Sequence, residues 1–411
     1  MCDSAFELVV FSDDWGRHPS SCQHLVSQLL PEMPALWVNT IGMRMPSLKP
    51  ADLKKIVTKV KQWTHRKTDS QTHANPLPAN LRVTNPLMYP GFRNSFQRQL
   101  NSRLISRQVN RQLDQTTTRQ RIAITTLPIT ADLVGKLHVD RWVYYCVDDF
   151  SVWPGLDSNV MQEMEAQLVS KVDRVIAVSD NLVNRLGQWA QNIDLLTHGI
   201  ELAHWQSPGK PPGKYPGSSP GSFPGSSLAS CNTLTSETAP PNWAQRQNAE
   251  MIFLFWGLID ERLDVQWCLK LADFGKLVLV GPIQAVDAKL TQHPNITMPG
   301  PCAYADLPRI AQHADVLVMP YADLPVTRAM QPLKFKEYLA TGKPIVARNL
   351  PGILDWQDCA DLVAQDDAFA TQAVSRAIGG LPPSQHAARK RLDQETWQCK
   401  AQQLTKHLIA A

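Results

Sequence analysis

The sequence predicts an α/β protein with two parallel sheets, and three observations carry that reading. Short apolar runs of strand length alternate with amphipathic segments of helix length, the pattern of parallel sheets covered by helices. The chain has 411 residues, which suits two sheets better than one. A Pro/Gly/Ser-rich stretch, residues 207–242, interrupts the alternation near its middle. Its composition buries too little apolar surface to order itself, so it reads as a flexible insertion between domains.

Taken in order, the strand runs are FELVVF, ALWVNT, RIAITT, RWVYYCV, RVIAVS and IDLLTHG before the break. After it come MIFLFWG, KLVLVG, NITMPG, VLVMPY and PIVAR. Between the first two runs, Ser20 or Ser21 suits a helix N-cap. Leu53, Ile56, Val57, Val60 and Trp63 share one helical face, flanked by Lys54, Lys55, Lys59 and Lys61. A second basic stretch begins at Phe92. Between Ala51 and Arg121 there are fourteen lysines and arginines against three acids. Such helices are either solvated faces of a core or a surface for anionic lipid. The expected division is an N-terminal domain over 1–195 and a crossover with the insertion over 196–250. A C-terminal domain over 251–385 follows, then a last segment, 386–411, packing back on the first domain.

Composition narrows the function classes. Hydrophobic residues are 43% and charged residues 19%, an ordinary globular balance, and a net charge of +4 does not by itself imply nucleic acid. No run of apolar residues is long enough to span a bilayer, and the start lacks the basic and apolar regions of a signal peptide, so a cytoplasmic location is expected. None of the eight cysteines forms a CxxC pair and no histidine cluster has metal spacing. Reduced thiols and no metal site are therefore expected.

The most informative stretch is AMQPLKFKEYLATGKPIV, residues 329–346. Pro332 suits the first turn of a helix, Gly342 suits its C-terminal stop, and Pro344 prevents continuation. A helix start carries unpaired N–H groups and partial positive charge, and so attracts phosphate. Glu337, slightly further along, can accept two hydrogen bonds from a sugar diol. The alternative is a solvated glutamate on an amphipathic helix.

With VSDNL at Val178, THGIELAHW from Thr197 and FWGLIDERLDVQWCLKLA from Phe255, this stretch resembles the nucleotide-sugar glycosyltransferases of the GT-B fold. The resemblance is to family 4 in particular, the bacterial polysaccharide and teichuronic-acid type. It runs nearly end to end through YYCVDDFS, NITMPGPCAYADLPRIAQHADVLVMPY and ETWQCKAQQL. It implies two Rossmann-like domains facing a central cleft, a nucleotide diphosphate sugar held by the C-terminal domain, and retention of configuration without an obligatory metal or cofactor.

The resemblance also places residues. Glu337 matches the glutamate that holds the donor's ribose. The glutamate eight positions earlier, which touches the donor sugar, is replaced by Ala329, and Thr327 and Arg328 adjoin that gap. Of two cations that face the diphosphate, the first position holds Leu258 and the second Arg262. Lys334 is placed to replace the missing one, beside Leu333 at the helix start, and Gly257 permits close backbone approach to phosphate. The segment from Pro299 to Tyr304 resembles the loop that pairs with the base. On the N-terminal side, the loop bearing Trp15, Arg17, His18 and Ser20 is placed near the acceptor, with His18 a catalytic candidate beside Asp148 and Asp149. Asp148 and Asp149 end a strand where ligands of parallel sheets bind, one to orient a hydroxyl and one to cap the loop.

The expected partners are a UDP- or GDP-sugar and a saccharide or lipid-linked saccharide, with an anionic membrane surface met through 51–121 and no nucleic acid. Two rivals stand beside this. One is a GT-B epimerase or hydrolase using Asp148 and Asp149 as its acid and base. The other is a nucleotide-binding scaffold whose site degenerated with the glutamate at 329.

Overall fold

The computed structural model describes residues 5–16, 20–39, 77–89, 91–113, 119–153, 156–206, 241–245 and 250–409. The chain divides into two compact units, Met1–Leu196 with Ala401–Ala411, and Thr197–Lys400.

The first unit holds a seven-stranded sheet in the order β3-β2-β1-β4-β5-β6-β7. Its strands are β1 Phe6–Ser12, β2 Ala35–Asn39, β3 Leu81–Thr84, β4 Gln120–Thr125, β5 Arg141–Cys146, β6 Arg174–Ala177 and β7 Ile193–Leu195. Every pairing is parallel, with Val10 against Trp37 on one side and Ile124 on the other. The middle strands are buried on both faces, which is why they read as unbroken apolar runs rather than alternating ones. Side chains of Val9, Phe11, Leu36 and Ala123 meet Ile105 and Val109 of the Ser95–Leu113 helix and Met164 of the Ser158–Val169 helix in one core.

The second unit holds a six-stranded parallel sheet in the order β10-β9-β8-β11-β12-β13. Its strands are β8 Ile252–Trp256, β9 Lys276–Val280, β10 Ile296–Gly300, β11 Val316–Met319, β12 Ile345–Arg348 and β13 Asp361–Val363. Phe253, Leu277, Val318 and Val346 share its core with Trp267, Phe335 and Phe369 from covering helices.

Both sheets match the expected α/β architecture, and every quoted apolar run contains a strand. The edge strands β3 and β13 carry no such run: LRVT and DLV each have one fully buried side chain. Two boundaries differ from expectation. The crossover after residue 196 is no separate linker where it is described, because Ile200, Trp205 and Trp243 are buried in the core of the second unit. Residues 386–400 also belong to that unit, where Leu392 is buried in the same core and Ile200 and Thr396 form a parallel bridge. Only 401–411 group with the first unit, in which the Leu408 carbonyl accepts from Arg141 at 3.0 Å. Among the described residues no helix is long and apolar enough to cross a membrane.

The insertion at 207–240, Lys54 to Lys61 and Trp63 lie outside the described residues. Among the cysteines, Cys22, Cys146, Cys268 and Cys359 are buried free thiols, and Cys302 and Cys399 are half-buried and free.

Candidate functional site

The second unit builds its candidate site where β8 ends. Gly257 follows Trp256 with φ +142°, and its N–H bonds to the Val280 carbonyl at 2.9 Å. A Cβ at this position would stand 1.9 Å from Lys334 Nζ. Gly281, at the end of β9, has φ +147°, and a Cβ there would stand 1.9 Å from the Gly257 carbonyl oxygen. The two glycines thus let adjacent strand ends and one ammonium group close on each other. Lys334 reaches this point from the first turn of the Leu333–Ala340 helix, with Nζ 4.7 Å from the Phe255 ring centroid and 5.5 Å from that of Tyr321. A cation is therefore held over aromatic faces at the carboxyl end of a parallel strand.

Gly257→Ala tests this arrangement. Alanine at that φ is strained by about 1–3 kcal/mol, and its methyl must displace Lys334. The expected result is a fall of several degrees in the melting temperature. A variant with wild-type melting would show that Lys334 does not depend on the absent Cβ.

The same helix carries Glu337. The helix begins at Leu333 with Pro332 as its N-cap, one position later than expected from placing Pro332 in the first turn, and Gly342 ends it at φ +74° as the sequence implies. Glu337 is buried. Its Oε2 accepts from Trp256 Nε1 and its Oε1 from the Tyr304 hydroxyl, both at 3.2 Å. Burial pushes its carboxyl above the usual glutamate range, opposed by those two hydrogen bonds and by the charge of Lys334.

Aromatic rings surround the carboxylate. Tyr304 stacks on His204 with centroids 4.7 Å apart, Trp205 stacks on Trp256 at 5.5 Å, and Trp256 leans on Tyr338 at 4.1 Å. His204 and Trp205 come from the short Leu202–Gln206 helix. The residue before Glu337, Lys336, has other partners. It donates to the His198 carbonyl, to Glu395 and, at 3.2 Å, to Thr197, and burial pulls it down to about 8. This buried anchor fixes which face of the helix Glu337 presents. Burial, with Lys336 and Lys400 nearby, pulls His198 down to about 3.

The remaining predicted residues are distributed as follows. Arg262 is held by Asp260, with Nε 2.9 and 3.0 Å from the two carboxylate oxygens. Asp264 caps the Val265–Ala272 helix and pairs with Arg348 at 2.5 Å. Leu258 and Leu333 are half-buried. Thr327 is fully buried, and its hydroxyl bonds Ala322 O at 2.6 Å and Leu324 O and N at 2.9 Å, so it pins the turn before its own helix. Arg328 is exposed and pairs with Asp323.

In the first unit, β1 ends at a cluster that the sequence reading did not single out. Asp13 accepts from Ser12 Oγ at 2.8 Å, Ser20 Oγ at 2.9 Å and Gln23 Nε2 at 2.7 Å, and burial pushes its carboxyl up. Ser20 is the N-cap of the Ser21–Leu29 helix. Trp15 is buried edge-on to Trp37, and its N–H donates to Asn39 at 2.9 Å. Arg17 and His18 lie outside the described residues. Of the aspartate pair, Asp149 is the cap. It accepts from Ser151 N at 3.0 Å and pairs with Arg185 at 3.2 Å. Arg185 in turn grips buried Glu165 through two bonds, of 2.5 and 2.9 Å. Asp148 is half-buried. A lone Asp-Asp gave no sign of Glu165, which sits sixteen residues further along on the Ser158–Val169 helix.

The fold defined by these two parallel Rossmann-like sheets is that of GT-B glycosyltransferases. Residues 264–378, which include Lys334 and Glu337, match the family model described as glycosyl transferases group 1. Over 223 residues it is 26% identical to a Bacillus subtilis protein named as a teichuronic acid biosynthesis glycosyltransferase, TuaH. That match covers 52% of this chain and 51% of the relative, so the chain spans about half the length of the curated relative it matches. Among solved structures it is similar to an E. coli trehalose-6-phosphate structure bound with UDP-2-fluoro glucose, at TM-score 0.63 and 13% identity. That likeness covers 98% of this chain and 99% of the other. It is also similar to a trehalose-6-phosphate synthase studied with bisubstrate glycomimetics for glycosyl transfer with retention, at TM-score 0.60 and 13% identity, covering 98% of each chain.

Proposed function

We propose that this protein transfers a sugar from a UDP- or GDP-sugar to an acceptor hydroxyl in the synthesis of a bacterial cell-surface polysaccharide. The observation that carries the reading is the pairing of Lys334 at the Gly257 strand end with Glu337 one turn further along the same helix. A diphosphate at the helix start meets Lys334, the helix N–H groups and, beyond them, Arg262. The ribose diol of the same nucleotide then meets the Glu337 carboxylate. The base lies toward the segment that ends at Tyr304.

Transfer proceeds in this reading with retention, as in the solved relative named for it. The bond from the anomeric carbon to the diphosphate oxygen breaks, the acceptor oxygen bonds on the same face, and its proton passes to the departing phosphate. The cations present take the leaving group's charge, and no obligatory metal is proposed. Asp148 is the carboxylate proposed to orient the acceptor or a donor hydroxyl. Ala329 removes one sugar contact and shifts donor choice. The acceptor proposed is a saccharide or lipid-linked saccharide, met at the inner face of a membrane.

A thermal-shift and calorimetric screen against UDP, GDP and their sugars tests the proposal, since a ligand of the folded state raises stability by mass action. Binding of one nucleotide series, followed by transfer to an added acceptor, is expected. Rapid conversion of donor without acceptor would favour the epimerase or hydrolase instead, and binding with no turnover would favour the scaffold.

The raised Glu337 carboxyl adds a pH signature. The diol needs an ionised acceptor, and a carboxyl pushed upward by burial loses its charge at higher pH than an ordinary glutamate. Uridine has the diol and no titrating phosphate. Its affinity should fall on acidification with a midpoint above the usual glutamate range, and the Glu337→Gln profile should be flat. A wild-type profile that is also flat would separate Glu337 from the ribose.

A further inference from the structure

The Ser95–Leu113 helix packs Ile105, Val109 and Leu113 inward. At 100° per residue, Phe96, Arg103 and Arg107 fall within about 40° of one another on the opposite face, with Arg111 about 40° beyond. Phe96 is 73% exposed. Arg103, Arg107 and Arg111 are exposed and make no ion pair among the described residues. Arg93 and Arg98 differ, since they pair with Asp157 and Asp132.

A strap of chain lies along the flank of this helix and is fastened by two side-chain amides. Gln108 accepts from Leu87 N at 3.0 Å and donates to Leu87 O at 3.3 Å. Asn101 accepts from Tyr89 N at 2.6 Å and donates to Tyr89 O at 3.0 Å and Gly91 O at 2.9 Å. These bonds fix the backbone of Leu87 and Tyr89 while leaving their side chains 51% and 44% exposed. Phe96 and three arginines with no ion pair among the described residues therefore occupy one helix face, and Leu87 and Tyr89 are exposed on the strap beside the helix.

We infer that this face docks the protein on an anionic lipid bilayer, with Phe96, Leu87 and Tyr89 entering the headgroup boundary and Arg103, Arg107 and Arg111 meeting lipid phosphates. The charge selects the occupant. A second copy would bring the same three arginines against them. Residues 40–76 of the chain carry eight lysines and arginines against two acids, and would also be repelled. A soluble polyanion would satisfy the arginines but leave the apolar side chains in water. A bilayer with anionic headgroups satisfies both. The inference rests on the proposed glycosyl transfer only in supplying a lipid-linked acceptor, and it names this helix as a docking face within the basic region 51–121.

Co-sedimentation with phosphatidylcholine vesicles, with and without phosphatidylglycerol, tests it and requires neither donor nor acceptor. The wild type is expected to bind only the anionic vesicles and to be released by salt, because the field is screened within about 10 Å. With roughly fivefold affinity carried by each basic residue, the triple variant Arg103→Glu, Arg107→Glu, Arg111→Glu should lose at least about a hundredfold. Phe96→Ser should lose several-fold on vesicles and nothing on heparin. Since all four positions face solvent, the variants should melt with the wild type and keep UDP binding. Wild-type indifference to anionic vesicles at low salt would overturn the inference, as would triple-variant binding equal to wild type. Equal heparin and vesicle binding that ignores Phe96 would assign the face to soluble polyanions. Absence of both UDP and GDP binding in the wild type, with vesicle binding intact, would remove the proposed function and leave the docking face standing.

Discussion

Glu337→Ala is expected to weaken UDP binding by roughly ten- to a hundredfold, because two ribose hydroxyls lose a charged acceptor worth about 1.5–3 kcal/mol. The same substitution also disturbs the protein without ligand. Trp256 Nε1–H and the Tyr304 hydroxyl both end on this carboxylate, and both become buried donors with no partner. Each orphaned donor costs about 1–3 kcal/mol, offset in part by removing a carboxylate that burial already penalises. Binding should therefore be measured well below the lowered melting temperature. A 2′,3′-dideoxy analogue of UDP separates the two effects. It should bind the wild type about as weakly as UDP binds the variant, and the variant should not distinguish the two ligands. A variant that loses both ligands equally would make Glu337 a purely structural acceptor for Trp256 and Tyr304.

The difference between what the chain shows in sequence and what needs the structure follows from locality. Pro332, Gly342 and Pro344 bracket a helix by backbone chemistry alone, and the strand boundaries of β8, β9, β11 and β12 follow from unbroken apolar runs buried on both faces. The edge strands β3 and β13 are short and half-exposed, so nothing in LRVT or DLV separates them from loop. The position of Glu337 follows from the helix start. Its surroundings do not, because Trp205, Trp256 and Tyr304 come from three separate stretches and meet only through the fold. Lys336 illustrates the same limit. It occupies an apolar-spaced position in the sequence, and its reason for being buried lies in Thr197, His198 and Glu395, more than fifty residues away in either direction. Arg262 could be assigned a carboxylate partner only by geometry, since Asp260, Glu261 and Asp264 are all close in sequence.

That assignment sets the relative weight of the two cations proposed for the diphosphate. Lys334→Met keeps the apolar stem over Phe255 and Tyr321 and removes the charge. It should weaken UDP by roughly ten- to a hundredfold, the loss of one charge-assisted contact of about 1.5–3 kcal/mol, and leave uridine affinity unchanged. Arg262→Ala should weaken UDP less, because the Asp260 carboxylate sits 2.9 Å from its Nε and offsets much of its charge. Asp260→Asn should then strengthen UDP binding by releasing that offset, whereas a surface ion pair remote from the ligand would leave the affinity unmoved. The ratio of UDP to uridine affinity, determined for wild type and all three variants at fixed salt, reads each charge against the diphosphate alone. Equal losses for UDP and uridine in Lys334→Met would place the ammonium away from the phosphates. A larger loss in Arg262→Ala than in Lys334→Met would return the main diphosphate contact to the loop after β8, with Lys334 left as a packing cation over the Phe255 ring.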